Sequence, residues 1–511
     1  MAGAWTSWDG RRLAWHGAHG ATELRLDGVR FVPVAADGEY TFAFCPNGDV
    51  RLEFALHAAD GSVCATPWRV RYGAAGQAGV NDWQGAPAPL RALPAATAPL
   101  PPRARVSIVV PIHNSTDCVQ RCIDSVLRWT AAPARLILID DASTDPAIGV
   151  LLARYARVDG IVIERNVENL GYTRSTNRGI ALAEHDDVVL LNSDTEVGPR
   201  WLDALRRAAH VDPHIGTTTA VSDNAGAFSV PELEQYCPIP PQWTLPQAQR
   251  ALLQQAGGVL PELPTGNGFC MYVKRALFDA VGVLDADAFP FGYGEENDLC
   301  QRAARAGWRH VIAGDVLVRH ARSASFGHER RAALGQQGMA VLRTRYPNYE
   351  AHVGATLFSF ERRVLDWRVR RLYATASTNA PPPRPRVLLD GRATPLSATL
   401  RSRFDCFAFD AQRRVLHALD GTGDLAVVSN PAAALAANAI EIVHGHALDP
   451  ALRQAAELAG AVCVDAADDD AGAIAPDAGD AALVANCAQR YARAWRERAA
   501  WPAFASTEDV A

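Results

Sequence analysis

An apolar run from Val188 to Leu191 ends directly in the polar residues Asn192, Ser193 and Asp194. Such a run is typical of a buried strand, and open α/β sheets bind their ligands outside the carboxyl ends of the strands. A carboxylate at that position can hold a divalent cation bridging two phosphates, because hard cations prefer oxygen ligands. An ordinary strand-end turn is the alternative, since Asn and Asp are common in turns.

Strands and helices alternate around this run. The segments 106–112, 136–139 and 161–163 are short and apolar, and a helical pattern precedes residue 188 at about 172–183. The alternation predicts an α/β fold with a doubly wound sheet covered by helices on both faces. A chain of 511 residues is long enough for about two to four domains.

The flanking segments differ in composition from this core. Residues 1–73 carry short alternating runs separated by Asp-Gly and Asn-Gly turns, which predicts a small all-β domain. Residues 74–104 are rich in Ala, Pro and Gly and are expected to form a linker. We expect the main α/β domain at 105–350, a helical extension with a Pro-rich linker at 351–385, and a smaller α/β accessory domain at 386–511.

Composition excludes some classes of function. The net charge of −6 argues against a nucleic-acid partner, which favours a basic face. The residues after Met1 lack a basic start followed by an apolar core, and no apolar stretch is long enough to span a bilayer. We therefore expect no transmembrane segment and a location in the cytoplasm or peripherally at the inner face of the membrane. The oligomeric state stays open.

Polar side chains also follow the first two predicted strands, at 111–114 and 140–145. Asp140 and Asp141 can accept hydrogen bonds from a ribose or a base. Helix capping is the alternative for this segment, because Ser143, Thr144 and Asp145 precede a helix that starts near residue 146. We assign capping to Thr144 or Asp145 and prefer ligand contact for Asp140 and Asp141.

Two further motifs complete the candidate site. Gly171, in Asn169-Leu170-Gly171, permits close backbone approach, and free amides there favour a diphosphate, although a loop without a ligand looks the same. Four of the residues 294–298 are Glu, Asn or Asp at a helix start, where the helix dipole alone favours acids. The aromatic segment 289–293 before them would raise the pKa of a carboxylate, as a general base requires.

At this point the residues resemble a known family. Residues 106 to about 326 are similar in motif order and spacing to family-2 glycosyltransferases with the GT-A fold, of the bacterial type that builds surface polysaccharides. The resemblance rests on the segments 111–114, 140–145, 169–171, 190–195, 265–268 and 294–299 and on His320, which ends another predicted strand.

The resemblance implies roles for single residues. Asp194 would bind a metal ion with His320 as a further ligand, and Glu296 would be the catalytic base with Glu295 beside it. The residues expected to bind the nucleotide-sugar are Pro111, His113, Asn114, Asp140, Asp141, Ser143, Asn169, Gly171, Asn192 and Ser193; those expected to form the floor under the sugar and acceptor are Gly266, Asn267 and Gly268. Asn192 replaces the first Asp of the family's D-X-D motif, and Glu296 stands where the family has Asp.

The predicted function is metal-dependent transfer of a sugar, a hexose or deoxyhexose, with inversion, from a nucleotide diphosphate-sugar to a glycan or lipid-linked acceptor. An oxygen-rich site holding phosphates suggests Mg²⁺ or Mn²⁺, and the imidazole favours Mn²⁺. A non-catalytic carbohydrate-binding or scaffolding protein on the same core is one alternative. Nucleotidyl transfer is another, although residues 111–116 lack the Lys or Arg that it favours.

Overall fold

The computed structural model describes most of the chain. The described residues are 5–8, 12–26, 29–41, 50–60, 62–64, 68–72, 78–79, 104–257, 260–321, 328–357, 359–376, 382–390, 400–401, 403–410, 415–419, 424–427, 430–445, 447–465 and 480–505.

The N-terminal segment forms antiparallel sheets. One has the strand order β1-β2-β5 and another the order β4-β3-β6-β7-β8. The strands are β1 Trp5–Trp8, β2 Arg12–His16, β3 Ala21–Leu26, β4 Val29–Pro33, β5 Gly38–Thr41, β6 Val50–Ala58, β7 Trp68–Tyr72 and β8 Ala78–Gly79. The short strand β8 lies within the range predicted as a linker, and most of that range lies outside the described residues.

The central unit is built on a sheet in the order β11-β10-β9-β12-β15-β14-β16-β13. The strands are β9 Val106–Ile112, β10 Ala134–Asp140, β11 Ile161–Arg165, β12 Asp187–Leu191, β13 Thr195–Glu196, β14 Ile215–Ser222, β15 Cys270–Val273 and β16 Arg309–His320. Every residue of β9 is buried, as the continuous apolar run predicts for a strand covered on both faces. The mixed α/β sheet confirms the predicted fold class.

Helices cover this sheet and extend beyond it. They are α1 Thr116–Trp129, α2 Pro146–Ala153, α3 Tyr172–Leu182, α4 Trp201–His210, α5 Leu245–Gln255, α6 Arg275–Val281, α7 Glu295–Arg305, α8 His328–Arg345, α9 Tyr349–Leu357 and α10 Phe360–Ala376. Helix α1 buries one stripe, including Val119, Ile123 and Val126, and leaves the opposite face to solvent. In the described parts of the chain, no helix is long and apolar enough to cross a membrane.

The strand directions determine which loops meet. Strands β9, β10 and β12 run parallel, so their carboxyl ends lie at one edge of the sheet. Strand β15 runs antiparallel to β12, and Cys270 at its start pairs with Leu191 at the end of β12. The loop before β15 therefore reaches the same edge. Thr195 in β13 pairs with His320 at the end of β16, which brings that histidine next to the Asn192–Asp194 turn.

The C-terminal segment forms a second α/β sheet in the order β20-β19-β18-β17-β21-β22. Its elements are β17 Arg386–Leu389, β18 Asp405–Asp410, β19 Val415–Ala418, β20 Asp424–Val427, α11 Pro431–Ala437, β21 Ile440–Gly445, α12 Pro450–Ala459, β22 Val462–Asp465 and α13 Asp480–Arg498. The acidic stretch that follows β22 in the sequence lies mostly outside the described residues.

This C-terminal sheet packs directly on the central unit. Arg250 of α5 and Glu441 of β21 form an ion pair with 4% and 3% side-chain exposure. Arg200 donates to the backbone carbonyls of Ile440 and Ala459 at 2.9 and 2.8 Å. One continuous hydrophobic cluster contains residues of both units, for example Leu252 of α5 and Val462 of β22. The interface is therefore a shared core with buried charge, rather than a loose contact between surfaces.

Candidate active site

Most of the predicted site residues line one cavity of about 800 Å³ at the carboxyl edge of the central sheet. They are Pro111, His113, Asp141, Asn169, Gly171, Asn192, Ser193, Asp194, Asn267, Gly268, Glu295, Glu296 and His320. Four predicted residues are not part of that lining: Asn114, Asp140, Ser143 and Gly266.

Asp140 holds a turn beneath the cavity. Its Oδ1 accepts a hydrogen bond from the Ser143 amide at 2.9 Å, and its Oδ2 pairs with Arg165. Asp140 is buried and lies outside the cavity lining, and each of its oxygens is bonded within the fold, so the predicted ligand contact at Asp140 is not supported. Asp145 caps α2 by accepting from the Ala147 amide at 2.9 Å, as capping predicts.

Asn114 and Ser143 belong to the same turn. The amide of Asn114 donates to the hydroxyl of Ser143, and the Asn114 Oδ1 accepts from the amides of Thr144 and Asp145, each at 2.9 Å. Asn114 has a positive φ of 59°, which Asn tolerates better than most residues. Both side chains therefore fix the connection between the ends of β9 and β10, and the predicted nucleotide contact is not supported for either.

Asp141 faces the cavity and organises the loop before α3. It is 4% exposed and accepts from the Asn166 side chain and from the amides of Leu170 and Gly171, at 2.8 to 2.9 Å. A carboxylate has about four acceptor positions, so one remains for a ligand. The expectation that the Gly171 amide is free for a diphosphate is wrong, because Asp141 already binds it.

Gly171 is nevertheless required for the backbone path. Its φ is +83°, and a Cβ there would lie 2.5 Å from the carbonyl oxygen of Pro290. Any side chain at this position would push the loop before α3 away from the aromatic segment 289–293.

Asp194 and His320 meet at one end of the cavity. The Nε2 of His320 lies 3.3 Å from Oδ1 of Asp194, while its Nδ1 lies 3.1 Å from the backbone oxygen of Asn224. A carbonyl only accepts, so Nδ1 carries a proton and Nε2 faces the carboxylate. The imidazole stacks on Phe269 with ring centroids 5.4 Å apart, which fixes its plane.

Asn192 adds an oxygen to this end of the cavity. Its Oδ1 is buried and has no hydrogen-bond partner in the structure. A buried acceptor without a partner is costly, and a cation or a ligand donor would satisfy it. In the described part of the chain no group of three or more His, Cys, Asp or Glu side chains is arranged to hold a metal ion. An amide oxygen, one carboxylate and one imidazole still fit a divalent ion whose remaining ligands are phosphate and water.

Glu295 and Glu296 begin helix α7 and line the same cavity. Glu296 Oε1 accepts a hydrogen bond from the Gly268 amide at 3.1 Å. Glu295 is 2% exposed, and burial followed by the neighbouring Glu296 raises its pKa well above the ordinary value. The aromatic lead-in was expected to raise the pKa of a carboxylate here, and the residue that shows this effect is Glu295.

The two floor glycines differ in position. Gly268 lines the cavity, and a Cβ there would lie 2.5 Å from the hydroxyl of Tyr172. Gly266 lies behind the cavity wall, where a Cβ would overlap the sulfur of Met271. Gly266 is therefore needed for packing under the floor, and only Gly268 and Asn267 are at the surface of the cavity.

Helices α8 and α9 hold α7 from outside the cavity. Asp298 is fully buried and pairs with Arg302 and Arg345 while accepting from the Tyr346 hydroxyl at 2.8 Å. Asn297 donates to Thr265 at 3.0 Å and also to the Tyr349 hydroxyl. The acids of 294–298 therefore divide into two groups: Glu295 and Glu296 face the cavity, and Asp298 anchors the helix.

Several lining residues were missed by sequence reasoning. They are mainly aromatic or flank the predicted motifs: Tyr172, Phe269, Phe291, Tyr293 and Asn297. Each stands next to a motif that was identified, so sequence proximity was the available signal. Whether such a neighbour points into the cavity depends on helix phase and loop conformation.

Comparison with known proteins gives the family of this core. A sequence model described as Glycosyl transferase family 2 matches residues 107–282. Residues 107–282 are a family-2 glycosyltransferase domain. This core is therefore that of a glycosyltransferase.

The similar proteins include two bacterial glycosyltransferases. It is 28% identical over 255 residues to an N-acetylglucosaminyl-diphospho-decaprenol L-rhamnosyltransferase of Mycobacterium tuberculosis, covering 44% of this chain and 79% of that protein. It is 31% identical over 101 residues to a poly(ribitol-phosphate) beta-glucosyltransferase of Bacillus spizizenii, covering 19% of this chain and 16% of that protein.

A mannosyltransferase from Pyrobaculum calidifontis, solved in complex with GDP-Man and Mn²⁺, is among the similar structures. The two share 20% sequence identity with a TM-score of 0.37, covering 60% of this chain and 82% of that one. The fold class therefore rests on the strand order of the central sheet, not on this likeness.

Proposed function

We propose that this glycosyltransferase moves a sugar from a nucleotide diphosphate-sugar to an acceptor hydroxyl with inversion at the anomeric carbon. One observation carries the proposal: Asp194 and His320 line the same cavity as Glu296. A site for phosphates and a site for a proton acceptor thus face one cavity. Direct displacement needs this arrangement, because the nucleophile and the leaving group lie on opposite sides of the anomeric carbon.

Glu296 acts as the general base in this mechanism. The acceptor oxygen attacks the anomeric carbon and forms the new glycosidic bond, its proton passes to Glu296, and the bond to the diphosphate oxygen breaks. The hydrogen bond from the Gly268 amide fixes one oxygen of Glu296 and leaves the other for the acceptor. Burial and the neighbouring Glu296 raise the pKa of Glu295, which hydrogen-bonds to Glu296 and holds its orientation.

The departing diphosphate gains negative charge and must be stabilised. Mn²⁺ or Mg²⁺ held by Asp194 and His320, with Asn192 Oδ1 as a further oxygen, would supply that charge stabilisation. The backbone carbonyl of Asn224 keeps Nε2 of His320 directed at Asp194. The remaining acceptor position on Asp141 is available to the nucleoside, beside His113 and Asn169, which contact each other and also line the cavity.

The acceptor and pathway are proposed from the relatives. One of them is named for transfer of L-rhamnose to a lipid-linked N-acetylglucosamine, and another for glucosylation of a poly(ribitol-phosphate). We infer a glycan or lipid-linked saccharide as the acceptor, a hexose or deoxyhexose as the transferred group, and a role in synthesis of a cell-surface polysaccharide.

The direct test uses the full chain and a panel of UDP-, GDP- and dTDP-sugars with Mn²⁺. Thermal stabilisation first selects the donor, and release of the nucleoside diphosphate is then measured with saccharide acceptors. We expect stabilisation by one donor class, chelator-sensitive release, and a product of opposite anomeric configuration by NMR. If no donor binds or is hydrolysed while glycans bind, the protein is a binding module and the proposal is wrong.

A further inference from the structure

Tyr172 is a cavity residue that the proposed mechanism does not use. It is the first residue of α3, directly after Gly171, and lines the cavity together with Glu296 and Asp194. Its ring runs between two glycines: a Cβ at Gly292 would lie 3.6 Å from its Cδ1, and a Cβ at Gly268 would lie 2.5 Å from its hydroxyl. Because glycine has no Cβ, both positions leave room for the ring of Tyr172.

The hydroxyl of Tyr172 therefore lies over Gly268, whose amide binds Glu296. The electrostatic surroundings agree with this position, because Glu296, Glu295 and Asp194 all act on the phenol. Burial and these carboxylates raise the pKa of Tyr172 well above its ordinary value. The phenol thus stays neutral at any physiological pH and retains its proton as a hydrogen-bond donor.

The reacting sugar has to lie in the same region. Its anomeric carbon must be between the base and the diphosphate, which places the sugar between Glu296 and Asp194. The Thr176 hydroxyl donates to the backbone carbonyl of Tyr172 at 2.8 Å, so its proton is not directed at the phenol. A phenol both donates and accepts, and any contact with the Thr176 oxygen leaves the acceptor positions of the phenol for a ligand. Sugar hydroxyls are natural partners for such a group.

We propose that Tyr172 contacts the donor directly, with its phenol hydrogen-bonded to a hydroxyl of the transferring sugar. This inference rests on the proposed function and deepens it, since it assigns the residue that recognises the sugar rather than the nucleotide. Tyr172 then contributes to the choice of donor, whereas Asp141 and the metal-site residues bind parts shared by many donors.

The test separates sugar recognition from nucleotide recognition. Binding of the selected nucleotide-sugar and of its parent nucleoside diphosphate is measured by calorimetry with Mn²⁺ for the full-length wild type and for Tyr172→Phe. Phe keeps the ring between Gly268 and Gly292 and removes only the hydroxyl. We expect about a three- to ten-fold loss of affinity for the nucleotide-sugar, the size of one neutral hydrogen bond, and no loss for the diphosphate.

A matched control is Tyr155→Phe. The Tyr155 hydroxyl donates to Asp124 at 3.2 Å and is not part of the cavity lining, so both affinities should stay at wild-type values. Deoxy-sugar donors provide a second readout: the analogue that lacks the contacted hydroxyl should bind wild type and Tyr172→Phe equally.

The outcomes are distinguishable. Equal losses for nucleotide-sugar and diphosphate would mean that Tyr172 only supports the loop, and an unchanged nucleotide-sugar affinity would mean that it does not contact the sugar. Either result overturns the inference while leaving the proposed function intact. Failure of the wild type to bind any donor or diphosphate would overturn the proposed function itself, and the inference with it.

Discussion

The imidazole Nε2 of His320 lies 3.3 Å from the carboxylate Oδ1 of Asp194, although the two residues belong to different segments far apart in the chain. The pairing of Thr195 with His320 produces this proximity, because it aligns the end of β16 with the turn after β12. The two ligands proposed for the metal are therefore positioned by sheet register rather than by a flexible loop.

Replacement of Asp194 should remove metal-dependent binding. Asp194→Asn keeps the size of the side chain but removes its charge, so we expect at least about a ten-fold loss of Mn²⁺ affinity, comparable to losses seen when only supporting residues of a metal site are changed. The affinity for Mn²⁺ is measured by titrating Mn²⁺ in the presence of UDP, GDP or dTDP and following the shift of the unfolding temperature. Asp287→Asn, an exposed carboxylate with 96% side-chain exposure, is the control. Unchanged Mn²⁺ affinity in Asp194→Asn would exclude it as a ligand.

Glu296→Gln should abolish most transfer without loss of donor binding. Loss of a positioned general base costs about a hundred- to ten-thousand-fold in rate. Gln retains an oxygen that can accept from the Gly268 amide, so the loop should stay in place. Steady-state kinetics with the selected donor and acceptor measure the change. Glu350→Gln, at an exposed ion pair with Arg343, should behave as wild type. Full turnover in Glu296→Gln would contradict the assignment.

Gly338 in α8 is predicted to determine the position of the loop that leads into helix α7, which it contacts on the side away from the cavity. A Cβ at Gly338 would overlap the carbonyl oxygen of Tyr293, in the segment that leads into Glu295. Gly338→Ala should cost about 1 to 3 kcal/mol of stability through overpacking and should lower the turnover rate by displacing the start of α7.

The same helix supplies the control for this prediction. A Cβ added at Gly335 would meet no other atom within 4 Å, so Gly335→Ala should stabilise the helix by up to about 1 kcal/mol and leave turnover unchanged. Thermal unfolding and kinetics of both variants give the comparison. Equal behaviour of the two alanine variants would show that α8 does not determine the position of the loop.

The buried pair between Arg250 and Glu441 should make the C-terminal sheet necessary for stability of the glycosyltransferase domain. Removal of one partner leaves an uncompensated buried charge and costs about 3 to 5 kcal/mol. Glu441→Leu should therefore lower the unfolding temperature strongly. The double variant Arg250→Met with Glu441→Leu should recover much of the loss, because neither member of the pair is then left as an unpaired buried charge. Additive losses in the double variant would show that the two side chains do not interact.

Stability should fall in mild acid because of His310. Its Nε2 donates to the Cys300 carbonyl at 2.9 Å, and burial lowers its pKa to about 4. Between pH 6.5 and about 4, His310 is protonated in the unfolded state but not in the folded state. The stability that is present above pH 6.5 is therefore lost as the pH falls through this range. The full effect is about 3 kcal/mol.

The measurement for His310 is the unfolding temperature at about pH 7 and about pH 5, which lie on either side of the ordinary histidine pKa. Wild type should lose more stability between these values than His310→Gln, which has no titrating group there. His214→Gln, which replaces a side chain that is 71% exposed, should keep the wild-type dependence. A His310→Gln variant with the same pH dependence as wild type would refute the assignment.

Adjacent acids show where sequence reasoning reached its limit. The sequence predicted that acids at two strand ends and at the start of one helix belong to one site, and Asp141, Asp194 and Glu296 do line one cavity. It did not separate Asp140 from Asp141, because successive side chains at a strand end point to opposite sides. Asp140 turns to Arg165 and Asp141 to the Gly171 loop, a difference that requires the neighbouring strand to be in place.

The sequence alone determined the α/β core, its strand ends and the motifs found there, because hydrophobic periodicity and strand-terminal polar residues are local properties of the chain. Tertiary structure decided which motif residues face the cavity, which acid is buried with a raised pKa, that Tyr172 lines the cavity, and that the C-terminal sheet shares a core with the central unit. Those outcomes depend on register, helix phase and close packing between segments distant in the chain, and a pattern of single residues does not encode them.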